Sequence, residues 1–307
     1  MGVCLTEVKL LAAEAAVRPF YGDLATLGRQ HVYATEADVR RIFTDYRLPL
    51  GLKSFTLHRD ASLAAQGFIS DESLFLAFGF ERVTRIDIDE YELADAIVDL
   101  NSSETPAHLV ASFDTVMDFG TLEHVFHVPH AMAHLSRLLR PCGRIVHMLP
   151  ASNCVEHGFY SFSPTFIRDY YAASGFDITT IYLCQLPRKF ERSAWTLYEY
   201  PVDHLNAIPM GRLGSGIFAI FAIVSATERM KIGVIPQQGF YREVWSRERS
   251  AVTAPPEGKA EKLVSLLDRS PTSRNVAQRV VANWRAWRRW WREMREGKVP
   301  LKRVGRL

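Results

Sequence analysis

Residues 113–150 read FDTVMDFGTLEHVFHVPHAMAHLSRLLRPCGRIVHMLP. Phe113 to Met117 (FDTVM) predicts a strand. Leu122 to Leu139 predicts a helix, stopped by Arg140, Pro141 and Gly143. Arg144 to Leu149 predicts the next strand, ended by Pro150. Strand, helix and strand in succession imply parallel pairing in a doubly wound sheet.

The flanks extend the pattern. Arg82 to Ile88 alternates, is rich in β-branched residues and predicts a strand; Ala96 to Leu100 predicts another. Beyond Pro150, Pro164 to Ser174 predicts a helix with proline in its first turn and Gly175 as its stop. Phe176 to Leu183 and Gly216 to Val224 predict two more strands. Upstream, residues 7–18 predict a short helix, and Thr35 with Asp38 forms a capping box for a helix through Tyr46. Asp71 to Phe78 predicts a helix that Gly79 stops. The expected fold is α/β, a doubly wound and mostly parallel sheet with a C-terminal helical extension.

The chain has 307 residues, 48% of them hydrophobic and 23% charged, which excludes a disordered or low-complexity chain. Its four cysteines (Cys4, Cys142, Cys154, Cys184) are scattered, which argues against a zinc ribbon or disulfide framework and predicts a reducing, cytoplasmic setting. The most apolar run, Gly214 to Ala226, is too short to span a bilayer and reads as a buried strand. The N-terminus lacks a secretory pattern but matches an acylation pattern at Gly2 and Thr6, with Cys4 as a second acyl site.

Charge divides the chain. Residues 271–307 hold eleven basic and two acidic residues, a net +9, against −6 for the rest. The expected organisation is an α/β domain over 1–250, a Pro/Gly linker over 251–260, and a basic Trp-rich helical tail over 261–307. Val276, Val280, Trp284, Trp287, Trp291 and Met294 recur at helical spacing beside Arg285, Arg288, Arg292 and Arg295. Residues 276–295 therefore suit either an anionic membrane surface, with the protein peripheral there, or a docked subunit contact. Nucleic acid is disfavoured, since the body is acidic and carries no recognised binding motif.

Ligands of doubly wound sheets bind beyond the carboxyl ends of the strands. Asp87 ends its strand where a carboxylate accepts hydrogen bonds from ribose hydroxyls; Asp89 and Glu90 are nearby alternatives, and the plainer reading of Asp87 is a capping acid. Asp99, Leu100 and Asn101 suit an adenine edge and face, or equally an Asx turn. His124, His127, His130 and His134 suggest a metal cluster by spacing, but Pro129 interrupts them and the sequence completes no ligand set, so no metal is expected.

The stretch Phe113-Asp114, Glu123-His124 and Leu138-Leu139-Arg140-Pro141-Cys142-Gly143 resembles class I S-adenosylmethionine-dependent methyltransferases, in particular the type 11 group. The resemblance covers residues 80 to 184, about a third of the chain. It implies a Rossmann-like fold, S-adenosylmethionine as cofactor, and Asp118, Gly120, Glu123 and His124 beside the methionine end. The chain departs from the family at its first strand. LATLGRQ (24–30) has one glycine, Gly28, where the family has several, and places Arg29 beside it. Arg29 then meets the methionine carboxylate, or cofactor binding is lost on a retained fold and the chain is a non-catalytic scaffold. Residues 156–164 form an aromatic-rich loop in the region that lines the acceptor pocket of the family. Its Glu156, His157, Tyr160, Ser161 and Ser163 suit a sugar or other small polar acceptor. His124 and His157 are the candidate general bases. A nicotinamide-dependent oxidoreductase is disfavoured because no G-x-G-x-x-G follows an early strand.

Overall fold

The computed structural model describes residues 2–200, 213, 215–252 and 302–307. In chain order the elements are α1 (Leu5–Val17), β1 (Asp23–Leu27), α2 (Glu36–Asp45), α3 (Ala61–Ala64), α4 (Asp71–Ala77), β2 (Arg82–Asp87), β3 (Ala96–Ile97), β4 (Phe113–Phe119), α5 (Val128–Leu138), β5 (Leu139–Ser152), α6 (Pro164–Ala173), β6 (Asp177–Leu186), β7 (Thr196–Glu199), β8 (Ile217–Ser225), α7 (Gly239–Val252) and β9 (Lys302–Arg306). The chain divides into two units. One comprises Met1–His204, Leu213–Gln238 and Leu301–Leu307; the other comprises Leu205–Arg212 and Gly239–Pro300, whose described part is α7. The stripe over 276–295, and the linker beyond Val252, lie outside the described residues.

One nine-stranded sheet runs β3-β2-β1-β4-β5-β8-β6-β7-β9. The pairs from β3 to β5 are parallel, and those from β5 through β8, β6 and β7 to β9 are antiparallel. The sheet is therefore mixed rather than mostly parallel in its pairing. Among the antiparallel pairs only β6 with β7 joins consecutive strands, which need no crossover helix to pair that way. β8 inserts between β5 and β6.

Both faces of the central strands are covered. Met117, Phe119, Val146, Met148 and Phe221 pack with Leu11, Val39 and Phe75 of α1, α2 and α4. The opposite face takes α5 and α6. The capping box of α2 forms as the sequence predicts, with Thr35 Oγ1 accepting from Asp38 N at 3.2 Å and Thr35 N donating to Asp38 Oδ2 at 3.1 Å.

Element boundaries correct the sequence reading in several places. β5 runs Leu139–Ser152, through the predicted stop at Arg140, Pro141 and Gly143, rather than from Arg144 to Leu149. The predicted helix from Leu122 begins only at Val128, because Pro129 belongs to its first turn; residues 122–124 form a separate 3-10 turn. The predicted strand Ala96 to Leu100 shortens to Ala96–Ile97, an edge strand paired on one side only and ended by the turn at Asp99. The N-terminus is tied down: Val3 bridges Val32, and Cys4 is 1% exposed, which leaves no access to its thiol.

Candidate functional site

The chain runs from β1 to β2 and β3 on one side, then returns to β4 and β5 on the other. The switch point lies between the carboxyl ends of β1 and β4, where such sheets open a ligand crevice. Thr121 closes its floor by donating its hydroxyl to Leu27 O at 2.9 Å.

Gly28 follows β1 with a φ of +70°, a conformation that favours glycine. A Cβ there would stand 3.6 Å from Asp87 Oδ2 and 3.8 Å from Thr121 Oγ1, so Gly28, Asp87 and Thr121 surround one corner. The Gly28 N–H is spent on Ile86 O at 2.7 Å. Asp87 Oδ1 accepts from Ile88 N at 2.7 Å, while Oδ2 turns toward the Gly28 corner. Gln30 is buried with its Oε1 unpartnered. Arg29 donates to Glu92 O and Leu93 O at 2.8 and 3.1 Å and pairs with Asp71 at 3.3 Å. Asp71 also holds Arg85 through both carboxylate oxygens, so it stays paired if Arg29 leaves.

At the β3 side, Asp99 accepts from Asn101 N and Nδ2, the Asx-turn reading, and these N–H groups hold its carboxyl below the usual range. Leu100 is buried. Asn101 Oδ1 accepts from His127 N, and Asn101 O accepts from His130 Nδ1 at 2.7 Å. His134 donates through Nε2 to Ser102 O and accepts the Thr105 hydroxyl at Nδ1. The helix histidines thus tie α5 to the loop 101–105, and His127, His130 and His134 do not converge on a ligand set.

Asp118 points into the core. It is paired in register with His147 across β4 and β5 and faces α6. Its Oδ2 accepts from His147 Nδ1 at 2.9 Å, and His147 Nε2 accepts from the Tyr171 hydroxyl at 2.6 Å. Its Oδ1 accepts from Thr121 N and Leu122 N at 3.1 and 3.3 Å. Asp118 therefore shapes the turn after β4, helped by Gly120 at a φ of 88°, and does not itself face the crevice. His147 carried no sequence signal, because both faces of β5 are buried there and alternation is silent; Tyr171 on α6 and Thr121 in the turn after β4 stand in no motif.

The 3-10 turn brings Glu123 and His124 together, and the loop after β5 lays His157 over them. Glu123 O accepts from Phe159 N and Tyr160 N at 2.7 and 3.2 Å. Gly158 makes this approach available, since a Cβ there would lie 2.7 Å from Glu123 O. Glu123 Oε1 is 3.5 Å from His157 Nε2 and 4.0 Å from His124 Nε2, and the two imidazoles stand edge to face at 5.4 Å. The Glu123 side chain is wholly buried, neither oxygen accepts a hydrogen bond, and burial followed by the Asp118 charge pushes its carboxyl up to about 8. Both imidazoles are pulled below the usual range, first by burial, with His157 adding to the effect on His124. Each thus stays neutral, with its basic nitrogen available, at lower pH than a free histidine.

Phe126 and Phe159 are 60% and 67% exposed and meet edge to face at 5.7 Å beside this group. The Tyr160 hydroxyl donates to Phe126 O at 2.9 Å and braces them. Ser163 caps α6, its hydroxyl accepting from Phe166 N at 3.2 Å.

The family model described as a methyltransferase domain matches residues 67–147. No curated protein matches the sequence. The fold is similar to the Burkholderia thailandensis 1,6-didemethyltoxoflavin-N1-methyltransferase, solved with S-adenosylhomocysteine. Identity is 15% and the TM-score 0.35, over 73% of this chain and 78% of that one. It is also similar to the N-methyltransferase NodS of Bradyrhizobium japonicum WM9, with 13% identity and a TM-score of 0.36, over 73% of this chain and 94% of that one.

Proposed function

We propose, from the premise that residues 67–147 are a class I S-adenosylmethionine-dependent methyltransferase domain, that this chain methylates a small polar acceptor, a sugar or similar metabolite. The observation that carries the reading is the Gly28–Asp87–Thr121 corner at the switch point, where a residue without a side chain leaves room and a strand-end carboxylate turns toward it. The residues present fit the cofactor there. Asp87 takes the ribose hydroxyls, Asp99, Leu100 and Asn101 border the adenine, and Arg29 takes the methionine carboxylate in exchange for its 3.3 Å contact with Asp71. Gly120 and the Glu123–His124 turn border the methionine end, with Asp118 fixing that turn from beneath.

The cofactor supplies an electrophilic methyl group on a sulfonium. This chain's residues bind, orient and shield. His157, Tyr160 and Ser163, on the loop after β5 and at the start of α6, border the acceptor side, with Phe126 and Phe159 as an apolar wall. His124 or His157 accepts the proton of an acceptor hydroxyl or amine at Nε2, and alignment supplies most of the remaining rate. No helix among the described residues is long and apolar enough to cross a membrane; the proposed setting is cytoplasmic, with residues 276–295 as the candidate contact to an anionic membrane or a subunit.

Calorimetry with S-adenosylhomocysteine tests the reading. The full-length protein should bind it, and Asp87→Ala should weaken binding by about 1.5–3 kcal/mol, the scale of a hydrogen bond to a charged group. Absence of binding at millimolar ligand would leave a scaffold that has kept only the fold.

A further inference from the structure

We propose that Glu123, His124 and His157 form a binding site for a divalent transition-metal ion of the zinc type, open on its outer side to the acceptor. Among the described residues these three bring one ligand atom each to within 4.8 Å of one another. Bonds of 2.0–2.1 Å set tetrahedral donors about 3.4 Å apart. The 3.5 and 4.0 Å separations from Glu123 Oε1 therefore close with small rotations of half-exposed rings.

The decisive residue is Glu123. A wholly buried carboxylate with neither oxygen hydrogen-bonded is costly, and native structures rarely leave one so. An ion supplies the missing partner. Two imidazoles and a carboxylate oxygen are a donor set for zinc or a neighbouring transition metal rather than for calcium or magnesium, which prefer oxygen alone. The backbone is prepared for it. Two of the ligands are consecutive on the 3-10 turn, and the third arrives on a loop pinned to Glu123 O by Phe159 N and Tyr160 N. His124 and His157 keep 49% and 37% of their side-chain surfaces exposed, which places the open coordination positions outward, toward Phe126 and Phe159. An acceptor hydroxyl held on the ion loses its proton to water more readily because the cation stabilises the oxyanion. The ion thus takes over the activation otherwise assigned to a free imidazole.

The metal site itself does not depend on the methyl-transfer reading, whereas its part in activating an acceptor rests on that reading. The test is calorimetric titration of the chelator-treated, full-length protein with zinc alone, with cobalt absorbance as a second readout. Zinc should bind at one equivalent, and cobalt should give the visible spectrum of a low-coordinate nitrogen–oxygen site. Glu123→Gln, close to isosteric, and His157→Ala should each weaken zinc binding more than tenfold, while His127→Ala should leave it unchanged; thermal melts confirm folding. Absence of saturable binding, or binding that Glu123→Gln and His157→Ala leave intact, overturns the proposal. S-adenosylhomocysteine titration of the same zinc-free protein separates the two readings. Protein that binds S-adenosylhomocysteine but fails to bind zinc removes the metal site alone, and protein that binds zinc but not S-adenosylhomocysteine removes the methyltransferase reading alone.

Discussion

Gly158 has no catalytic atom, yet it decides whether His157 reaches Glu123. Alanine there places a Cβ 2.7 Å from a backbone oxygen and 3.0 Å from the Glu123 Cγ, so the loop must lift. Gly158→Ala should cost about 1–3 kcal/mol and reduce acceptor turnover, whereas Gly305→Ala, with nothing within 4 Å, should be near neutral in a thermal melt. Glu7 illustrates a different residue-scale effect. It is 2% exposed at the start of α1 and accepts from Cys4 N at 2.6 Å, and burial raises its carboxyl to about 7 from 4.5. Below about pH 4.5 both folded and unfolded chains hold the proton and the group costs nothing. Between 4.5 and about 7 only the unfolded chain ionises, so stability falls with rising pH, and above that range the loss is complete at about 3 kcal/mol. Glu7→Gln keeps an acceptor for Cys4 N and should gain stability over wild type as melts move from pH 4 to pH 8; a constant difference would reject this cause. Glu123 and His157 were legible in the sequence as candidates, but their meeting was not. Thirty-three intervening residues form a helix and a strand, and only the packing of that unit returns the loop to the turn.

Elements of the parallel half were legible because each carries its own punctuation, as with the capping box of α2 and the proline–glycine frame of α6. β7 and β9 were not. β9 lies in a segment whose basic composition suggested a helical tail, and its strand form comes from pairing Leu197 with Gly305 and Tyr198 with Arg303. Leu307 completes the pairing: its carbonyl accepts from Trp195 N at 3.0 Å and from Thr6 Oγ1 at 3.2 Å. Removing residues 302–307 should expose β7 and the buried Trp195, lower stability by at least about 2 kcal/mol from the lost backbone hydrogen bonds alone, and increase aggregation at the freed edge. Denaturant titration with intrinsic tryptophan fluorescence reads both effects. A midpoint unchanged from wild type would mean that β9 contributes no stability.

For the molecule as a whole, the −6 body and +9 tail set up the one prediction that rests on residues outside those described. Full-length protein should float with anionic vesicles, and a variant lacking 276–295 but retaining 302–307 should stay behind. Salt should weaken the attachment only in part, since tryptophan burial is not screened. If the full-length protein ignores vesicles and the deletion lowers the melting temperature, the stripe is a docking face. By itself the sequence determined the order of strands and helices from Arg82 to Ala173, the strand-end position of Asp87 and the methyltransferase resemblance, because propensity, capping and spacing act within a few residues. Tertiary structure alone decided the antiparallel half of the sheet, the turning of Asp118 into the core onto His147 and Tyr171, and the convergence of Glu123, His124 and His157. Those outcomes depend on which buried face a strand presents and which loop returns to it, and local chemistry along the chain carries no record of either.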